Sequence, residues 1–281
     1  MTRRHAPPTT CPPAGGASRK PIGVFDSGIG GLTVFDAIAR RMPAEDLVYF
    51  GDTAHVPYGT KSPDAVGRYS SEVARHLDGV GIKALVVACN TASAVALPKV
   101  RRSTHVPVIG VILPGARAAA AASGSGSIGI IGTEATISSG AYTRAVGGLR
   151  PGARVTGAAC PLFVPLVEEG WWDHPVTETV ARHYLGPMKR AGVDSLILGC
   201  THYPLLRGVV GRVMGKGVTL IDSAAATAVE IRALLRRIGL ERTDGKGRHR
   251  FIVSDGPERF RRLARRLIGR DVEVRCHRFD L

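Results

Sequence analysis

Two cysteines stand in matching settings. Cys89 closes the apolar run of "VVACNTAS" (86–93), and Cys200 closes that of "LILGCTHY" (196–203). A free cysteine is often no more than a small buried hydrophobe. Here Asn90 and Thr91 follow the first thiol, and Thr201 and His202 follow the second, so each has hydrogen-bonding groups for a polar ligand beside it. A histidine or carboxylate near a thiol can take its proton or orient it. One such thiol is enough for nucleophilic catalysis. Two on opposite walls of a cleft suit a different chemistry. One takes a proton from one face of a carbon, the other returns a proton to the opposite face, and the stereocentre inverts.

That chemistry needs a scaffold that brings distant strand ends together. Eight apolar runs read as strands: 22–25, 47–50, 84–88, 106–110, 128–132, 154–158, 195–199 and 218–221. They are continuous rather than alternating, as expected of strands covered on both faces. Helix-length segments lie between them. The clearest follows Lys61: Ser62 can cap, Pro63 fits the first turn, apolar residues recur from Val66 to Val80, and Gly79 and Gly81 end it. Strand–helix alternation of this kind gives a parallel α/β architecture. A faint repeat adds detail. "IGVFDSG" (22–28) echoes "IGIIGTE" (128–134), "AHVPYG" (54–59) echoes "LFVPLVEEG" (162–170), and "VVACNT" (86–91) echoes "LILGCTH" (196–202), at nearly constant offset and in order. Two similar α/β halves are the expectation. Ligands of parallel sheets bind beyond the carboxyl ends of strands. Asp26, Ser27, Asp52, Cys89, Asn90, Thr91, Thr133, Cys200, Thr201 and His202 all follow apolar runs, so two facing halves would gather them in one cleft.

The totals narrow the setting. A chain of 281 residues, 44% hydrophobic, makes one large domain or two modest ones. No apolar stretch is long enough to cross a bilayer. Residues 1–20 are rich in Pro, Gly and small polar residues and read as a disordered extension with no secretory apolar block. Five widely spaced cysteines without a CxxC pair point to a reduced, cytoplasmic protein. The net charge of +15 first suggests nucleic acid, but residues 224–281 hold 15 Lys+Arg and 8 Asp+Glu and contribute +7 of it. Much of that lies in "ERFRRLARRLIGR", which reads as an amphipathic helix with a solvated basic face. A nucleic-acid partner is not the reading favoured.

Read together, "GVFDSGIGGLTV", "YFGDTAHVPYGTKS", "VVACNTASA", "GTEATI", "CPLFVPLVEEG", "LGCTHYPLL" and "LIDSA" resemble the glutamate racemases of the cofactor-independent aspartate/glutamate racemase superfamily, in the correct order from about Pro21 to Ser223. The resemblance implies interconversion of L- and D-glutamate without pyridoxal phosphate or metal, and a supply of D-glutamate for peptidoglycan. It implies Cys89 and Cys200 as the two bases, with Asp26 and His202 assisting proton transfer and Asp52 and Glu168 as further acidic candidates. Ser27, Pro57, Tyr58, Gly59, Asn90, Thr91, Thr133 and Thr201, with Asp26 and His202, would hold the substrate. It also implies two α/β domains, 21–113 plus 223–281 and 114–222, with the site between them, and a homodimer.

Blander roles compete at several positions. Tyr58 can simply pack, Asp52 can cap a helix or form a turn, and Thr133 opens an apparent helix that it would cap. The choice of Glu168 over its neighbour Glu169 rests on the resemblance. "GSGSIG" (124–129) fits a dinucleotide motif but precedes its strand, so it reads as a loop. Isolated His55, His76, His105 and His183 lack metal spacing. Cys11 falls in the extension, Cys160 reads as packing, and Cys276, alternating with Val272 and Val274, as a buried strand position. "WWDH" (171–174) reads as a surface or lid feature. Three alternatives remain: a related aspartate or hydantoin racemase, a nucleic-acid-binding protein on a racemase scaffold, and a single-thiol hydrolase or transferase.

Overall fold

The computed structural model describes residues 16–279. Strands and helices alternate through β1 (Ile22–Asp26), α1 (Leu32–Arg41), β2 (Leu47–Gly51), α2 (Pro63–Val80), β3 (Ala84–Val87), α3 (Asn90–Val95), α4 (Leu97–Arg102) and β4 (Val108–Gly110). The chain continues through α5 (Ile112–Ala122), β5 (Ser127–Gly132), α6 (Glu134–Ser138), α7 (Ala141–Leu149), β6 (Arg154–Ala159), α8 (Phe163–Glu168), α9 (Pro175–Arg190), β7 (Ser195–Gly199), α10 (Arg207–Met214) and β8 (Thr219–Ile221). It closes with α11 (Ser223–Arg237), β9 (His249–Val253), α12 (Pro257–Ile268) and β10 (Val274–Cys276).

These strands make two sheets, ordered β10-β9-β2-β1-β3-β4 and β6-β5-β7-β8, and every pairing is parallel. The order β2-β1-β3-β4 in one sheet is the order β6-β5-β7-β8 in the other, so the weak sequence repeat is a repeat of topology. Ile22 opens the pairing of β1 with β2 and β3; in the second sheet Ser127 opens the pairing of β5 with β6, and Ile128 that with β7. Cys89 and Cys200 therefore stand just past equivalent strands, β3 and β7.

All eight expected strands are present, and the continuous apolar runs belong to strands buried throughout: β1, β2, β3, β5 and β7. Alternation within a run sends side chains to opposite cores. Ile22 and Val24 pack with Phe35 and Ile38 of α1 and Ile231 of α11, whereas Phe25 packs with Val66, Val73 and Leu77 of α2. The second sheet is covered likewise, with Leu196 and Leu198 facing Leu185 and Met188 of α9, and Ile197 facing Ala116 of α5 and Val146 of α7. Helix α2 starts as read: the Ser62 hydroxyl accepts from Ala65 N–H at 3.3 Å, Pro63 occupies the first turn, and the helix stops at Gly81.

Three readings change. Strand β9 was not anticipated; its "HRFIV" is short and flanked by charge, and it joins the first sheet beside β2. Cys276 does lie in a strand, but β10 is the sheet's edge, and the thiol is exposed rather than buried. Of the extension, residues 1–15, with Cys11, lie outside the described residues; residues 16–20 form a turn in which the Ser18 carbonyl accepts from Lys83 Nζ at 2.6 Å. That lysine is buried against Glu45, also buried, which ties the turn to the first sheet. Of "GSGSIG", residues 124–126 are a loop and Ser127 begins β5. Among the described residues no helix is long and apolar enough to cross a membrane.

Candidate active site

Cys89 caps the start of α3, its sulfur accepting from Ala92 N–H at 3.5 Å while the thiol points to Ser27 Oγ at 3.7 Å. Only 5% of the residue is exposed. Burial, together with the charge of Asp26, pushes the thiol up to about 12, although the Ala92 N–H and the Ser27 hydroxyl pull the other way. Asp26 ends β1 and is wholly buried; its Oδ2 accepts from Gly28 N–H at 3.1 Å and Gly31 N–H at 3.0 Å. Its pKa is raised by burial, against the opposing effect of His202 and of the backbone donors.

Cys200 follows β7, and its sulfur lies 3.8 Å from His202 Nδ1. On the far side of the ring, His202 Nε2 lies 3.3 Å from Glu168 Oε1, off the hydrogen-bonding direction. Burial alone would depress the imidazolium, but the proximity of Cys200 and Glu168 and the charge of Asp26 outweigh it and push His202 up to about 10. Glu168 is held below the usual carboxylate range by His202 first, then by the guanidinium of Arg259, with burial opposing. Arg259 Nη2 reaches Glu168 Oε2 at 3.0 Å. Of the neighbours Glu168 and Glu169, Glu168 alone lines the cavity.

Both thiols line one small cavity of about 30 Å³. On the side of the first sheet its wall carries Ser27, Pro57, Tyr58, Gly59, Cys89, Asn90 and Thr91; on the other side stand Thr133, Glu168, Cys200, Thr201 and His202. Asp26 lies just beneath, joined to Thr201 Oγ1 at 3.4 Å. Asp52 is also set back and buried: Tyr58 OH donates to it at 2.6 Å, Ser254 Oγ at 2.8 Å, and His55 Nδ1 lies 2.9 Å away. It thus holds the Tyr58 ring, whose pKa is driven well up by burial and then by Asp52. A larger surface hollow of about 580 Å³, between Tyr69 and Arg278, includes neither thiol. Both thiols lie instead in the small cavity.

The two walls meet through close contacts. Thr91 Oγ1 and Thr133 Oγ1 are 2.9 Å apart, and Thr133 also caps α6 by accepting from Thr136 N–H at 3.3 Å, so its capping and cavity roles coexist. Tyr142 OH donates to Asn90 Oδ1 at 2.7 Å, while Asn90 Nδ2 is buried with no protein partner. A Cβ on Gly30 would stand 2.7 Å from His202 Nδ1, and one on Gly59 would stand 2.6 Å from Thr133 Cβ; only glycine lets these loops come so close.

Sequence reasoning missed Val56 and Val164, which also line the cavity, and three supporting residues: Tyr142, Ser254 and Arg259. Ser254 had a readable signal, since it follows the apolar end of β9 as Asp52 follows β2. Arg259 had none, being one arginine among many on the basic face of α12. His55 is a partner of Asp52, its Nδ1 2.9 Å from the carboxylate. Trp171 is exposed before α9, whereas Trp172 is tied down by its Nε1–H to Val167 O at 2.9 Å. Cys160 is buried, as read. No group of three or more His, Cys, Asp or Glu among the described residues is placed to hold a metal ion.

Two facing parallel α/β units with a thiol at equivalent strand ends match the Asp/Glu/Hydantoin racemase family across residues 22–231, and the chain belongs to that family. Within it, the glutamate racemase of Geobacter metallireducens is 54% identical over 251 residues, covering 89% of this chain and 93% of the relative. Two solved structures are close in shape. Glutamate racemase isoform RacE1 from Bacillus anthracis has a TM-score of 0.90 at 39% identity, covering 92% of this chain and 98% of that one. The Francisella tularensis glutamate racemase, solved in complex with D-glutamate, has a TM-score of 0.87 at 35% identity, covering 94% and 98%.

Proposed function

We propose that this chain is a glutamate racemase that inverts the α-carbon of glutamate with Cys89 and Cys200 as its two bases. The observation that carries the reading is that both thiols line one cavity from different sheets, each with its own proton-handling partner. In one direction a thiolate takes the α-proton, breaking the C–H bond, and the electron pair passes into the substrate carboxylate. The opposite thiol then gives its proton to the other face of the same carbon. Its sulfur is left as the thiolate, and reversal exchanges the roles. His202, whose pKa is raised by its neighbours, is placed to pass a proton to or from Cys200; Asp26 and Ser27 serve the Cys89 side.

The α-proton is weakly acidic, so donors must hold the growing negative charge while water is excluded. Asn90 Nδ2, with no protein partner, and the hydroxyls of Ser27, Thr91, Thr133 and Thr201 are the groups for this. Asp52 acts through Tyr58, in the "VPYG" loop whose Pro57 and Gly59 shape the wall. The division into 21–113 plus 223–281 and 114–222 belongs to the same reading, as do D-glutamate for peptidoglycan, a cytoplasmic location and a homodimer. Identity of 54% to a protein named glutamate racemase favours glutamate over aspartate or a hydantoin.

The test is α-proton exchange and racemisation of L- and D-glutamate in deuterated water. The intact chain should racemise both, and Cys89→Ser and Cys200→Ser should each nearly abolish it. Full-rate racemisation by both variants would end the two-thiol assignment.

A further inference from the structure

A run of four charged or reactive groups crosses the cleft mouth. Arg259 lies on α12, which follows β9 of the first sheet. Its Nη2 meets Glu168 Oε2 at 3.0 Å; Glu168 Oε1 stands 3.3 Å from His202 Nε2; and His202 Nδ1 stands 3.8 Å from Cys200 Sγ. The last three residues belong to the segment between β6 and α10 that surrounds the second sheet. Glu168 sits at an electrostatically unfavourable place. It is the last residue of α8, where the helix dipole presents its negative end to a carboxylate. Arg259 supplies a cation there and occupies one carboxylate oxygen, which leaves the other turned to the imidazole.

From this geometry we infer that Arg259 is a positioning residue: reaching over from α12, it fixes Glu168 and, through it, the orientation of His202 beside Cys200. The inference rests on the racemase reading and deepens it. The charged groups facing this relay are few. Asp26 at the end of β1 acts on His202 from below, and Asp255, in the turn before α12, lines with Arg259 and Glu168 a hollow of about 230 Å³ at the cleft mouth. Asp255 in turn lies 3.7 Å from Arg278. A second contact from the same helix, Arg266 stacked on the Trp172 ring at 5.4 Å, touches neither Glu168 nor His202. That makes it a control for simple docking of α12.

The Arg259 side chain is 58% exposed, so its removal leaves the core intact. The experiment compares the full chain with Arg259→Met, Arg259→Lys and Arg266→Met, measuring kcat and KM for glutamate across pH and titrating the Glu168 carboxyl carbon by NMR. Arg259→Met should lower kcat about two- to five-fold, the range an ion pair of this exposure supports, with KM within about two-fold. It should raise the Glu168 midpoint by a few tenths of a pH unit. Arg259→Lys should recover most of both, and Arg266→Met should move neither. An unchanged Glu168 titration in Arg259→Met overturns the inference, whether or not the chain turns over glutamate. So does a loss confined to KM, or an equal kcat loss in Arg266→Met. Failure of the intact chain to racemise glutamate would strike the functional reading instead.

Discussion

Replacing Tyr142 by Phe removes one oxygen and tests how the cavity-lining amide of Asn90 is held. The phenol is buried, and burial raises its pKa, so it stays a donor at any working pH; it donates to Asn90 Oδ1 at 2.7 Å. Without it that oxygen is buried and unpaired. An orphaned neutral acceptor costs about 1–3 kcal/mol, which for a chain of this length lowers Tm by about 2–4 °C per kcal/mol. The kinetic effect is separate. With Oδ1 released, the amide can turn, and Nδ2 no longer points reliably into the cavity. A lost hydrogen bond to charged substrate is worth about 1.5–3 kcal/mol at most, so kcat/KM should fall by about ten-fold and no more than about a hundred-fold. Thermal unfolding and initial rates with both enantiomers are the assays. Because a racemisation has an equilibrium constant of unity, kcat/KM must fall equally in both directions. A variant that loses Tm yet keeps wild-type kcat/KM would refute the positioning argument and leave Tyr142 as packing.

Gly30→Ala should be severe for its size, since the new methyl would sit against Thr201 and 2.7 Å from His202 Nδ1; kcat should fall at least about ten-fold, the scale of a catalytic group displaced by a fraction of an ångström, as initial rates would show. His202 also makes stability pH-dependent: its folded pKa of about 10 lies above the ordinary value of 6.5, so its contribution is full below pH 6.5 and is lost as pH rises toward 10. Cys89, raised from 9.0 to about 12, acts in the same direction at higher pH. Urea unfolding of the intact chain should therefore lose up to about 1.4 kcal/mol per pH unit relative to His202→Asn between these limits, and equal slopes for the two would refute the assignment.

Much of this was legible in the residues because parallel sheets write themselves plainly. Strands covered on both faces must be apolar throughout, so β1, β3, β5 and β7 announced both their positions and the polar residues at their ends. The edge was harder. β10 at the edge and β9, paired between β10 and β2, are short and each carries an arginine, and the alternation of Val272, Val274 and Cys276 made Cys276 look more buried than it is. Cys89 and Cys200 could be paired from spacing because topology repeats at the same interval. Tyr142 could not be placed beside Asn90, since a contact between halves leaves no period in either. Arg259 was hidden for a different reason: a basic helix face looks the same whether one of its arginines meets water or a buried carboxylate.

The cavity that holds both thiols, about 30 Å³, has room on the scale of a single water and not of an amino acid, so an amino acid would enter it only if the two walls part. What must break is mostly polar: Thr91 to Thr133, Thr201 to Asp26, Tyr142 to Asn90 and Arg259 to Glu168. The principal apolar clusters are built around one sheet or the other, so they need not come apart. At about 1 kcal/mol net for each hydrogen bond and less for the exposed ion pair, parting costs a few kcal/mol, which is well within reach on the time scale of an enzyme turnover. The same contacts explain why closure is selective. Thr91 and Thr133 satisfy each other when the walls meet, and a ligand that enters must replace that bond with one of its own. A carboxylate can accept from both hydroxyls at once, and an apolar molecule from neither.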